Sequence, residues 1–191
     1  ANSYIFPPGL EELRVQIASR MARQGCNVGP DEIMITAGCS EAVDLCLQAV
    51  CQPGDIVAIE SPLYFGFLQS LEAHNLRALE IPTHPRDGLS LDALRFALEN
   101  TPIKLVLAIP SFNNPLGSCL PFEKREELVR LLERHQVPLL ECDLSGEIYF
   151  GDQHPLPCKA FDQSGQVLYC ASFSNDVCPG YRIGWAVAGR F

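Results

Sequence analysis

The strongest constraint on the fold of this chain is a repeated alternation of short apolar runs with amphipathic helical stretches. Residues 32–36, 56–60, 76–81, 104–110, 137–143, 166–170 and 182–188 read as strands, most of them apolar on consecutive positions rather than on every second one. Such runs belong to strands covered on both faces. Between them lie helical patterns over residues 10–21, 42–50, 91–99 and 121–135. In the first, Leu10, Leu13, Ile17 and Met21 recur at helical spacing, and Gly25 follows as a stop. Pro53-Gly54-Asp55 ends the second. Strands alternating with helices predict a largely parallel α/β sheet with helices on both faces.

Composition narrows the class further. A chain of 191 residues suits one domain with a real core, and 47% hydrophobic against 19% charged residues describes a globular protein. The formal net charge of -9 argues against this segment gripping DNA or an anionic membrane itself. No apolar run approaches the roughly 18 residues of a membrane span, and Ala1-Asn2-Ser3-Tyr4 opens no basic, signal-like segment, so a cytoplasmic location is expected. Nine cysteines occur without a C-x-x-C pair, several of them inside apolar runs. That pattern predicts reduced, mostly buried thiols and no metal site.

The stretch from Ser172 to Trp185 carries the clearest candidate chemistry. Ser172, Ser174 and Arg182 together can hold a phosphate through hydroxyls and a two-pronged cation, although a solvated turn before a buried strand would look the same. Earlier, a strand passes through Ala37-Gly38-Cys39-Ser40 into a helix. This is either an anion site on unpaired helical N–H groups or an ordinary turn with Ser40 near the cap. Tyr64, just past a strand end, can stack on a flat ring or simply pack. Asn114-Pro115-Leu116-Gly117 is by itself a turn signal.

Taken together, these motifs resemble fold-type I pyridoxal-phosphate (PLP) enzymes. Pro179-Gly180-Tyr181-Arg182-Ile183-Gly184-Trp185 is most similar to the aminotransferase-like domain of MocR/GntR-type transcriptional regulators. The resemblance implies a three-layer α-β-α fold with a mostly parallel seven-stranded sheet containing one antiparallel strand. Residues 1–191 would form its large cofactor domain, with the family's small C-terminal domain and the regulators' N-terminal DNA-binding domain lying outside this segment. It also implies cofactor-site roles for Cys39 and Ser40 at the phosphate, Tyr64 over the ring, Asn114 at the phenolic oxygen, and Ser172, Ser174 and Arg182 at the phosphate.

The departures from the family pattern decide the functional expectation. Where the family carries its Schiff-base lysine, this chain has Asn175. Where it carries the aspartate that pairs with the ring nitrogen, this chain has Cys142; Asp143, one residue on, is kept as a possible contact, and Ser145 takes the place of a tyrosine. Alternate strand residues face opposite ways, so Asp143 is no automatic substitute. No catalytic residue is therefore expected. The expected function is effector sensing in a MocR/GntR-type regulator, with PLP or a PLP–amino-acid adduct held non-covalently. The full protein would be a homodimer that meets DNA only through a separate domain, without membrane contact. The alternatives are the large domain of an aminotransferase inactivated by substitution or truncation, and a ligand-free dimerisation domain.

Overall fold

A computed structural model of the chain describes residues 4–152 and 154–191. Helix α1 (Glu11–Arg23) precedes strand β1 (Ile33–Thr36), α2 (Cys39–Val50), β2 (Ile56–Ser61), α3 (Phe65–Ala73) and β3 (Arg77–His84). There follow β4 (Gly88–Leu89), α4 (Leu91–Asn100), β5 (Ile103–Ala108), α5 (Phe122–His135), β6 (Leu139–Asp143), β7 (Val167–Ser172) and β8 (Gly184–Val187). The sheet runs β1-β8-β7-β6-β5-β2-β3-β4. From β7 to β3 every pairing is parallel, and β8 runs against both its neighbours. The expected seven strands and single antiparallel member are present. The eighth strand is the two-residue β4, paired antiparallel to β3 and too short to show any period.

The central strands feed both faces. On one side α2 and α3 bury Ala42, Val43, Cys46, Leu47, Phe67 and Leu71 against Leu105, Leu107, Leu140, Cys142, Leu168 and Cys170. On the other, α4 and α5 cover Val106, Ala108, Leu139 and Val167, and α1 covers Tyr169, Ala171 and Trp185. Residues 167, 169 and 171 therefore face one layer, while 168 and 170 face the other, as the pleat requires. Helix α3 was not foreseen. It starts directly after Ser61-Pro62-Leu63-Tyr64, and its apolar residues fall on several sides, with Phe65 and Leu68 exposed, so no stripe marks it.

The sheet changes direction at its centre. From β2 the chain proceeds to β3 on one side, whereas β5, β6 and β7 build outward on the other. A crevice opens beyond the carboxyl ends of strands at such a point. Glu60, near the end of β2, bridges it. Its Oε2 accepts from the Ile109 backbone N–H at 2.7 Å and from Asn113 Nδ2 at 2.8 Å. Burial pushes its carboxyl up to about 7. Burial, then the neighbouring Asp143 charge, pushes Glu141 up to about 7 as well, although it accepts from the Cys158 and Lys159 N–H groups.

Both carboxyls hold a proton more tightly when folded than when unfolded. Their contribution to stability is thus complete below the ordinary glutamate value and is lost as pH rises through about 7. Asp162, held below its usual value by Lys159 and backbone N–H groups despite burial, works only at more acid pH. Urea unfolding should therefore show stability falling between about pH 5 and 8, by on the order of 5 kcal/mol. A rise across that window would contradict the buried carboxyls.

Candidate functional site

At the carboxyl edge of the sheet lies a cleft of about 380 Å³, lined by Cys39, Ser40, Tyr64, Asn114, Ser145, Ser172, Ser174, Asn175 and Arg182, with Phe67, Ile109, Phe112 and Leu144 between them. Five separate connections converge there, after β1, β2, β5, β6 and β7.

The cup at one end is built by close backbone approach. Gly38 has φ +100°, and a Cβ there would stand 2.5 Å from Arg182 Nη2. Gly184, paired with Thr36 across the β1–β8 ladder, would drive a Cβ into the Gly38 backbone. These two glycines let the start of α2, the start of β8 and the Arg182 guanidinium occupy one small volume. Arg182 itself adopts a left-handed conformation, φ 51°. Its Nη2 donates to the Ala37 carbonyl at 3.2 Å and its Nη1 to the Pro179 carbonyl at 3.3 Å, so the cation points at the helix start while staying exposed. The opening N–H groups of α2 have no intrahelical acceptor. Ser172, buried at the end of β7, accepts from the Ser174 N–H at 3.3 Å. A cation, two hydroxyls and a helix N-terminus on one cup suit a phosphate.

Tyr64 walls the cleft beyond the end of β2. Its ring meets Phe67 edge-on at 5.6 Å, and it lies where a side chain on residue 66 would be, so Gly66 is a condition of its placement. Asn114 also lines the cleft, on the loop after β5.

Two further lining residues, Asn175 and Ser145, meet one another. Asn175 Nδ2 donates to Ser145 Oγ at 3.4 Å. The loop carrying Asn175 is fixed from behind by α1. Arg20 pairs with Asp176 and, at 3.3 Å, with Glu147, and its guanidinium lies 5.3 Å from the Phe173 ring centre. None of the three lysines reaches the cleft. Lys104 is the second residue of β5, toward the opposite sheet edge, Lys124 lies on α5, and Lys159 Nζ is engaged by Asp162 and the Val167 carbonyl.

Two of the expected site residues are placed differently from the rest. Asp143 is turned to the α1 face, and the possibility that it contacts a bound ring is corrected. Its Oδ1 accepts from the Gly146 N–H and its Oδ2 from the Tyr169 hydroxyl, both at 2.9 Å. Cys142 has the expected facing but is wholly buried beneath the cleft floor, its Sγ 3.3 Å from Cys39 Sγ. Four lining residues were missed: Phe67, Ile109, Phe112 and Leu144. Ile109 and Leu144 each follow directly on a strand end, which was a usable signal. Phe112 (φ 52°) and Phe67 had none.

The sequence profile of the aminotransferase class I and II family matches residues 1–190. The chain belongs to that family. Among curated family relatives, the uncharacterized HTH-type transcriptional regulator YdcR of Escherichia coli is 48% identical over 185 residues, covering 97% of this chain and 40% of YdcR. Aromatic-amino-acid aminotransferase 1 of Thermococcus litoralis is 32% identical, covering 98% of this chain and 46% of that one. The chain thus spans less than half the length of these relatives. Among solved structures, LysN of Thermus thermophilus, an alpha-aminoadipate aminotransferase complexed with N-(5'-phosphopyridoxyl)-L-leucine, superposes with a TM-score of 0.90 at 30% identity, over 97% of this chain and 47% of LysN. In this chain position 142 carries a thiol and position 175 a carboxamide.

Proposed function

We propose that this chain is the effector-recognition part of an HTH-type, MocR/GntR-class transcriptional regulator. It holds PLP, or a PLP–amino-acid adduct, by phosphate and ring without turning it over. The single observation carrying this reading is the split character of the cleft. Its phosphate end has Arg182, Ser172, Ser174 and the start of α2, and its reacting end has Asn175 bonded to Ser145. A carboxamide has no nucleophilic amine, and it neither gains nor loses a proton near neutral pH, so it cannot shuttle one. The 48% identity to YdcR supports the regulator class.

In this reading the cofactor supplies an aromatic ring and an aldehyde; every holding contact comes from the chain. Arg182 and the α2 N–H groups neutralise the phosphate, Ser172 and Ser174 add hydroxyl donors, Tyr64 covers the ring, and Asn114 donates at its edge. Among the residues lining the cleft Arg182 is the full charge and no carboxylate is present, so a phosphorylated aromatic needs no cationic group to enter. With a net charge of -9, DNA contact falls to a separate segment of the full protein, where a homodimer would pair such segments.

Equilibrium dialysis or calorimetry with PLP tests this. Saturable, borohydride-insensitive binding is expected, and Arg182→Gln should weaken it about 10- to 100-fold by removing the charge-assisted contacts. Absence of binding at millimolar PLP, or an Arg182→Gln variant that binds equally well, would refute it.

A further inference from the structure

Beneath the floor of the cleft, four cysteines form a row between α2 and the sheet. Cys39 and Cys46 lie two turns apart on α2, and Cys142 and Cys170 are register partners on β6 and β7. They meet pairwise, Cys39 with Cys142 at 3.3 Å and Cys46 with Cys170 at 3.6 Å between sulfurs. All are free thiols. What distinguishes them is access. Cys39, although only 5% exposed, lines the cleft, whereas Cys142, Cys46 and Cys170 do not reach it. A small oxidant entering the cleft therefore meets Cys39 first and finds a second thiol directly behind it.

We infer that Cys39 and Cys142 are a covalent modification site, a dithiol that a hydroperoxide closes into a disulfide beneath the anion cup. The Cys39 thiolate attacks the outer peroxide oxygen. The O–O bond breaks, Cys39 becomes a sulfenic acid, and the leaving oxygen takes a proton to depart as the alcohol, or as water from hydrogen peroxide. Cys142 then attacks the Cys39 sulfur. An S–S bond forms, the S–OH bond breaks, and hydroxide leaves as water with the Cys142 proton. Two thiols have lost two electrons, and the peroxide has gained them. The sulfurs need close only from 3.3 Å to about 2.05 Å.

The division of roles follows from the surroundings. The hydrogen bond to Cys39, and then burial, hold the Cys142 thiol well above its ordinary range, so it is a poor first attacker but is correctly placed as the resolving partner. The deeper Cys46–Cys170 pair has the same proximity without the opening. The product would tie the first turn of α2, which carries the N–H groups of the cup, to the end of β6. This inference stands apart from cofactor binding and can fail or hold independently of it.

The test uses the reduced full chain, treated with hydrogen peroxide, alkylated, digested without reductant and read by mass spectrometry. The expected product is a linked pair of peptides containing Cys39 and Cys142, about 2 Da lighter than their reduced sum and restored by dithiothreitol. Cys142→Ala should instead accumulate a dimedone-trapped sulfenic acid on Cys39. In Cys39→Ser, Cys142 should stay reduced. Two results would overturn the inference. One is recovery of Cys39 and Cys142 as free thiols while the half-buried Cys119 and Cys178 become oxidised, which shows that the reagent acted. The other is oxidation of Cys142 in Cys39→Ser as fast as in the unaltered chain.

Discussion

Replacing Asn175 with lysine should convert the proposed reversible PLP binding into covalent labelling, from none in the unaltered chain to near one pyridoxyl group per chain after borohydride. Asn175 lines the cleft, and its carboxamide already points across it to Ser145, so a longer side chain from the same Cα enters the same space. The loop that carries it is fixed by the Arg20–Asp176 ion pair and does not have to be rebuilt. No competing amine is near, because Lys159 is held by Asp162 and the other lysines lie off the cleft. A supplied amine is the missing nucleophile, but it is not the whole of transamination. On the function proposed above, a buried thiol at position 142 takes the place of the carboxylate that would face the ring nitrogen, and Asp143 is committed to Tyr169 and Gly146 on the other face. The expected result for Asn175→Lys is therefore a covalent adduct with turnover at most a small fraction of a working aminotransferase. Peptide mapping decides it. Equal labelling of the unaltered chain, or no label on a variant that still binds PLP, would defeat the proposal that position 175 is where attachment was lost.

The largest stability effect is expected at Arg125. This side chain is 1% exposed, and its guanidinium donates to the Leu120, Leu156 and Pro110 carbonyls at 2.7–2.8 Å, to Ser111 Oγ at 2.9 Å, and to Cys119 Sγ at 3.3 Å. It joins α5 to the loop bearing Asn114 and to the segment just before Cys158, and its charge opposes the buried Glu141 and Asp143 carboxyls. Arg125→Met fills much of the volume but strands three buried carbonyls and two carboxyls' counter-charge. A loss of about 3–5 kcal/mol in urea unfolding is expected. Arg125→Lys, which keeps the charge but cannot fan out to so many acceptors, should lose about half of that. PLP affinity should fall with Arg125→Met although Arg125 does not line the cleft, because Asn114 loses its support. A change under about 1 kcal/mol would mean that the network is not what holds this loop.

The architecture was legible in the sequence to the extent that it is local. The doubly buried strands show as unbroken apolar runs, and the α1 and α5 stripes as a helical period, each within a single stretch of residues. Helix α3 and the two-residue β4 do not, since the first presents apolar residues on several sides and the second has no length over which to repeat. The residues of the phosphate cup were recognisable as a pattern. The reason Gly38 and Gly184 must be glycine was not, because it lies in the contact of two backbones about 146 residues apart.

What the sequence by itself determined is chemical capacity. An asparagine at 175, three lysines that all belong elsewhere and a cysteine at 142 exclude an amine and a carboxylate from those positions, whatever the fold does. What only the tertiary structure decided is facing and proximity. It turned Asp143 away from the cleft, aimed Arg182 at the start of α2, and set Cys39 against Cys142 across 103 residues of chain. Periodicity records which side of its own element a residue occupies, but distances between elements are set by how whole faces pack, and no short stretch of sequence contains that information.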